Sequence, residues 1–374
     1  MTQPDDPATD TTAPDSTAPD PVAVGGSAPH AVDPDGLVPL ETGCEWRSDE
    51  LGDSYVFRLT DDHLAELDAA LLAAEAQADD VLDITREQFP LPTLGPELAR
   101  ITDDLINGRG VVLIRGVPAE RYGKDRTSSI YWGIGTHIGR PWPQNAKGHL
   151  LGDVTDQGKR GDDPTSRGNE IGGVPFPYHS DGSDLVGLLC LDAGASGGAS
   201  LVANALAIHN ELVRTEPELA AELYAPYPYD LRGEQAPGSR SWYEMPIFNR
   251  RAGRLYVRYI RPYIDSSRRH EDAPRVSAAG RAAMDRLDAL CAEPRFHASM
   301  VMQPGDIQFV NNYHVLHARE GYTDDREAGR IRHLKRLWLE TDLLADEDKP
   351  ERFRLGRTDS WWSSKGRTKS ELAI

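Results

Sequence analysis

The triplet His179-Ser180-Asp181 carries two metal-binding side chains one residue apart. On an extended strand such residues share a face, because strand side chains alternate with period two. A further histidine, His317, stands far downstream in Val315-Leu316-His317-Ala318-Arg319. Two imidazoles and one carboxylate can fill one face of Fe(II) and leave the opposite positions open for a co-substrate and dioxygen. Beyond His317 runs Arg330-Ile331-Arg332-His333-Leu334-Lys335-Arg336, a cationic strip suited to an acidic co-substrate. Taken alone, His179 and Asp181 also fit a strand-edge pair that orients a turn, since Gly182 follows. The chain has 11 histidines, and His314 competes with His317 for the third position.

Arg332 and Arg336 point to one side of a strand or a helix. A guanidinium facing a barrel interior needs an anionic partner, and its fork suits a carboxylate. Solvated charges on an edge strand are the plainer alternative.

The elements that must hold these groups are legible in outline. Asp61 to Leu82 has helical periodicity with Thr60 or Asp61 as cap, and 94–108 reads as a second helix stopped by glycine. Helices are also expected over 206–224 and 277–292, the latter capped by Ser277. Strands are expected over 111–114, 185–191, 200–203, 254–260, 307–310 and 332–339. Glycine- and aspartate-rich 152–173 reads as a long loop before the His179 strand, and such loops are often active-site lids. Non-local strands with peripheral helices make a mixed α/β chain with a mainly β core of double-sheet, jelly-roll type.

Bulk properties narrow the partners. The chain has 374 residues and a formal net charge of −19 at pH 7. That balance speaks against nucleic acid or an anionic membrane as partner. Residues 1–36 hold seven Asp and no Lys or Arg. They read as a disordered acidic Pro/Thr/Asp-rich tail before a single domain over 37–374. No basic-then-apolar leader and no membrane-length apolar run is evident. Three unpatterned cysteines, Cys44, Cys190 and Cys291, suit a reducing cytoplasm, and Cys190 reads as a core thiol. Trp132, Trp142, Trp242 and Tyr243 read as packing residues.

Four stretches carry a resemblance: 128–152, 178–204, 248–263 and 304–340. The last, PGDIQFVNNYHVLHARE followed by RIRHLKRLWLE, is the most specific. The chain resembles the taurine dioxygenase (TauD/TfdA)/clavaminate synthase-like family of Fe(II)- and 2-oxoglutarate-dependent oxygenases. The resemblance implies a double-stranded β-helix (cupin-like) core with helices outside. It implies Fe(II) on His179, Asp181 and His317, with 2-oxoglutarate and O2 as co-substrates. It places the ligand at His317 rather than His314. It implies that Arg332 binds the distal carboxylate of 2-oxoglutarate, assisted by Ser200, and that Arg336 lies on the prime-substrate side. Gln144 and Asn145 fall in the family's substrate-side stretch, and Asp184 can meet a cationic group. Arg261 and Tyr263 close the 254–260 strand, for a substrate-side or a structural role. A carboxylate at 181 implies hydroxylation, desaturation or cyclisation rather than halogenation. The expected substrate is a small molecule such as an amino acid or natural-product intermediate. A zinc-type metallohydrolase and a non-catalytic small-molecule-binding barrel are the alternatives. The sequence does not specify oligomeric state.

Overall fold

The computed structural model describes residues 36–345 apart from 162, 164 and 165, together with 348 and 349. The tail expected over 1–36 lies outside the described residues except for Gly36.

Local chemistry sets the element ends. Thr60 caps the helix Asp61–Glu75, its hydroxyl accepting the His63 N–H at 3.3 Å. The helix stops short of 82 because Asp80 turns back to accept the Leu82 N–H at 2.9 Å, which starts the separate turn Val81–Asp83. The expected 206–224 helix is two helices, Ala205–Thr215 and Pro217–Glu222. Pro217 cannot continue the first ladder but suits the first position of the second. Ser277 caps Ala278–Ala292 as expected, accepting the Gly280 N–H at 2.8 Å. The 152–173 loop begins instead as a strand, Leu151–Thr155, with Leu151 and Asp153 turned inward. The expected 254–260 strand ends at Val257, and 332–339 runs His333–Glu340.

The helical stretch Ala119–Ile138, two helices joined at a kink where Gly123 has φ +71°, was not expected. Its glycines lower helix propensity but let neighbours approach. A Cβ at Gly133 would lie 2.4 Å from the Phe89 ring, and one at Gly135 would lie 2.7 Å from Leu337. From the same helix, the Tyr131 hydroxyl accepts the Leu337 N–H at 3.1 Å, docking it on the sheet.

Two sheets form the centre of a mixed α/β fold. The seven-stranded sheet runs Val56–Arg58, Val111–Arg115, Ile307–Asn311, Leu185–Asp192, His333–Glu340 and Arg140–Trp142, with Leu151–Thr155 also paired to His333–Glu340. Only its first pair is parallel. The four-stranded antiparallel sheet runs His297–Met300, Ser200–Asn204, Val315–Arg319 and Phe176–His179. Val186, Val310 and Trp338 of the first sheet pack with Val202, Met300 and Val315 of the second in one buried cluster. The sheets therefore face each other with interdigitated side chains. Helices Leu94–Asn107 and Ala119–Ile138 share the core on the outer side of the large sheet. Ala205–Thr215 and Ala278–Ala292 pack with Leu316 and Ala203 outside the small one. Cys44, Cys190 and Cys291 are buried free thiols.

Asp184 is held within this framework. Its carboxylate accepts the Tyr313 hydroxyl at 2.5 Å, the Thr341 N–H at 3.0 Å and Lys349 Nζ at 2.7 Å. The expectation that it meets a substrate is corrected by these contacts: it closes a buried ion pair. Asp184→Ala leaves the Lys349 ammonium without this carboxylate, and should lower unfolding free energy by about 3–5 kcal/mol in chemical denaturation.

Candidate active site

The metal set is assembled by strand register and one turn. His179 ends the Phe176–His179 strand and lies opposite His317 in the antiparallel pair, with ring centroids 4.1 Å apart. The chain then leaves the strand. The Ser180 N–H donates to the Tyr259 carbonyl at 2.8 Å, and the Asp181 N–H donates to Asn312 Oδ1 at 3.0 Å. Asp181 reaches its partners through this turn, not by alternation along a strand as the triplet suggested. Its carboxylate oxygens stand 4.0 Å from His179 Nε2 and 3.9 Å from His317 Nε2. These separations are too long for hydrogen bonds and leave room for an ion between the three donors. His179 Nδ1 lies 3.0 Å from the Pro177 carbonyl, which assigns its proton there and leaves Nε2 as the ligand atom.

The charge states suit a cation. Burial holds both imidazoles below their ordinary value, His317 at about 3. Burial alone would raise the Asp181 carboxyl, but Arg336, the two histidines and Trp338 outweigh it and hold it well below the usual range. Two neutral nitrogens and one carboxylate form the donor set of nonhaem Fe(II) sites. Among the described residues, this is the one cluster of His, Cys, Asp or Glu that brings three ligand atoms together. His314 instead lines a separate small cavity beside Cys44.

The triad opens on a cavity of about 760 Å³ including its mouth. Four arginines, Arg167, Arg319, Arg332 and Arg336, line it against a single carboxylate, Asp181. Arg332 Nη1 is buried with no partner among the described residues, and Nη2 donates to the Gly198 carbonyl at 3.3 Å. Burial and the neighbouring Arg319 bring the Arg332 guanidinium down to about 10. Ser200 lines the same cavity, with Oγ donating to Gln308 Oε1 at 2.9 Å. Gly198 has φ +74°, and a Cβ there would lie 2.7 Å from Arg332 Nε. Gly198→Ala should therefore displace Arg332; on the expectation that Arg332 binds the distal carboxylate of 2-oxoglutarate, the co-substrate KM should rise by about tenfold, read from titrations of turnover.

Arg336 faces the metal set. Nη1 is 3.4 Å from Asp181 Oδ2, which also accepts the Trp338 indole N–H at 2.9 Å. Gln144 does not line the cavity. It is buried behind Arg336, accepting its Nε at 2.8 Å and donating to the Arg336 and Leu150 carbonyls. Asn145 also stays outside, in a turn where its Oδ1 accepts the Lys147 and His149 N–H groups. Arg261 is held by Asp265, Asp285 and Asp288, whereas Tyr263 reaches the cavity. Sequence reasoning passed over Arg167, Arg319 and Trp338. Period-two spacing carried a signal for two of them, since Arg319 follows His317, and Trp338 follows Arg336, by two residues on one strand.

Two facing sheets with a buried two-histidine, one-aspartate set beside a cationic cavity define a nonhaem metal-oxygenase architecture. The model of the taurine catabolism dioxygenase TauD, TfdA family matches residues 74–338, and the chain belongs to that family of iron(II)- and 2-oxoglutarate-dependent oxygenases. It is 32% identical to FR-33289 synthase of Streptomyces rubellomurinus over 81% of this chain and 91% of that one. It is 29% identical to the taurine hydroxylase-like protein SAT17 of Stachybotrys chartarum, over 78% and 77%. Among solved structures, asparagine oxygenase with Fe(II), 3-hydroxyasparagine and succinate superposes with a TM-score of 0.60 at 17% identity, covering 76% of this chain and 94% of that one. The nonhaem iron oxygenase OrfP, bound to Fe, succinate and hydroxyarginine, gives 0.58 at 17%, covering 77% and 95%. Among the described residues, no helix is long and apolar enough to cross a membrane.

Proposed function

We propose that the chain hydroxylates an unactivated carbon of a small molecule, such as an amino acid or natural-product intermediate, on a double-stranded β-helix core. The observation that carries this reading is the shared cavity: the His179, Asp181 and His317 donors line one space with the buried Arg332 guanidinium, whose Nη1 has no partner among the described residues. A zinc hydrolase would need the first feature but not the second. The relatives support the substrate class, since one is named a synthase of FR-33289 and two solved structures hold hydroxylated amino acids.

His179, Asp181 and His317 would hold the iron, and Arg332 with Ser200 the distal carboxylate of 2-oxoglutarate. Iron bound there supplies dioxygen activation coupled to decarboxylation of 2-oxoglutarate to succinate and CO2. The protein's own part is geometry and electrostatics. Pro177 fixes the His179 tautomer, and Trp338 and Arg336 orient the Asp181 carboxylate. Arg336 stands where it can meet an anionic group of the prime substrate. The proposal includes a single oxygenase domain over 37–374, an acidic tail over 1–36 and a reducing cytoplasmic setting, the last supported by the three unpaired thiols.

The test is succinate release from 2-oxoglutarate on adding Fe(II), screened with amino acids, peptides, and small sulfonates and carboxylates. Substrate-stimulated succinate is expected. Hydrolysis of a test ester or amide with zinc, and no succinate with any substrate, would favour the hydrolase.

A further inference from the structure

Arg319 ends the Val315–Arg319 strand and lines the metal cavity. Its guanidinium has two distinct surroundings. Nη2 donates to the carbonyls of Ile171 at 3.2 Å and Val174 at 2.8 Å. Those carbonyls belong to the 166–175 segment, whose Arg167, Gly168 and Asn169 form part of the cavity wall. Nε, in contrast, is buried with no partner among the described residues. Arg332 is in the same condition at Nη1. The two guanidinium carbons lie 5.0 and 5.1 Å from the centroid of one ring, Tyr322, whose hydroxyl is a third buried donor without a partner. Arg332 is buried and Arg319 half-buried, and an anion with more than one oxygen could fill the open donors of both.

We propose that Arg319 is a positioning residue that couples co-substrate to cavity wall. The distal carboxylate of 2-oxoglutarate is shared between Arg319 and Arg332, while the other edge of Arg319 holds the 166–175 segment through Ile171 and Val174. This rests on the co-substrate reading given above. Without the carboxylate, repulsion from Arg332 works against the position of Arg319 that grips the segment. With it, the repulsion is offset and the wall is fixed before the prime substrate arrives. Linkage then requires the converse: whatever orders the wall tightens 2-oxoglutarate.

Two readouts on the full-length anaerobic Fe(II) protein test this. One is 2-oxoglutarate affinity by calorimetry. The other is hydrogen exchange of amides 166–174 with and without 2-oxoglutarate. In the unsubstituted protein, 2-oxoglutarate is expected to slow exchange across the segment. Arg319→Gln should weaken 2-oxoglutarate on the order of 10- to 100-fold, the loss of one charge-assisted contact, and abolish the ligand-induced protection. Arg319→Lys, which keeps the charge should the glutamine variant fold poorly, should regain part of the affinity but not the protection. One ammonium cannot face carboxylate and wall together. Unchanged affinity in both variants, or a segment whose exchange ignores 2-oxoglutarate in the unsubstituted protein, overturns the coupling. Arg332→Ala separates the two readings. If it loses affinity while the Arg319 variants do not, only the coupling falls; if it too binds normally, the co-substrate assignment falls with it.

Discussion

Asp181→Asn is expected to lose stoichiometric iron and all iron-dependent succinate production while keeping the fold. The asparagine carbonyl can still accept from the Trp338 indole, and its size matches the carboxylate, so packing is preserved. What disappears is the anion that two neutral imidazoles need beside them to bind a divalent cation. His179→Ala and His317→Ala should lose iron as well, whereas His314→Ala should retain it, because that ring lines a different cavity. Trp338→Phe removes the hydrogen bond to Asp181 Oδ2 and shrinks a buried ring that Arg336 also covers, and should cost roughly 10- to 100-fold in metal affinity or activity. Metal content after purification, measured beside far-ultraviolet circular dichroism, checks the series. Iron retained by His317→Ala and lost by His314→Ala would sink the ligand assignment.

The candidate site residues were more legible than the frame that holds them. His179, Asp181, His317, Ser200, Arg332 and Arg336 were named from the chain, and all six line one cavity. Short spacing paired His179 with Asp181 and Arg332 with Arg336, whereas the choice of His317 over His314 and the naming of Ser200 came from the family resemblance. The same logic failed for Gln144, Asn145 and Asp184. Nothing in a linear pattern tells a carboxylate offered to a ligand from one already closed by Lys349, which lies at the far end of the chain. Gln144 shows an intermediate case, since it stands behind Arg336 and can affect a substrate only through it. For the fold, capped helices such as Ala278–Ala292 were plain because their signals are local. The helix Ala119–Ile138 was hidden because its glycines answer to Phe89 and Leu337, partners distant in sequence. The strand Leu151–Thr155 was hidden because Asp153 looks like loop composition until His333 and Lys335, each at 2.6 Å, give it a buried partner.

Arg332→Ala should have the largest effect on the co-substrate. Its Nη1 is the buried donor that the distal carboxylate would satisfy, and a charge-assisted fork to a buried donor contributes roughly 2–4 kcal/mol. The 2-oxoglutarate KM should rise about 30- to 1000-fold. Arg332→Lys should recover only part, because a point charge cannot copy the planar fork. Ser200→Ala removes one neutral donor that already has Gln308 to satisfy it, so about 1 kcal/mol, or roughly fivefold, is expected. Arg336→Ala should act elsewhere. Its guanidinium is tied to Asp181 and Gln144, so its loss should weaken metal binding and the prime substrate before it touches 2-oxoglutarate. The discriminating measurement is therefore the order of effects on 2-oxoglutarate affinity, determined by calorimetry on the anaerobic iron protein. Arg332→Ala must exceed Ser200→Ala, and both must exceed Arg336→Ala. If Arg336→Ala heads that order, the two arginines have exchanged roles, and the anion site lies beside Asp181 rather than beside Tyr322.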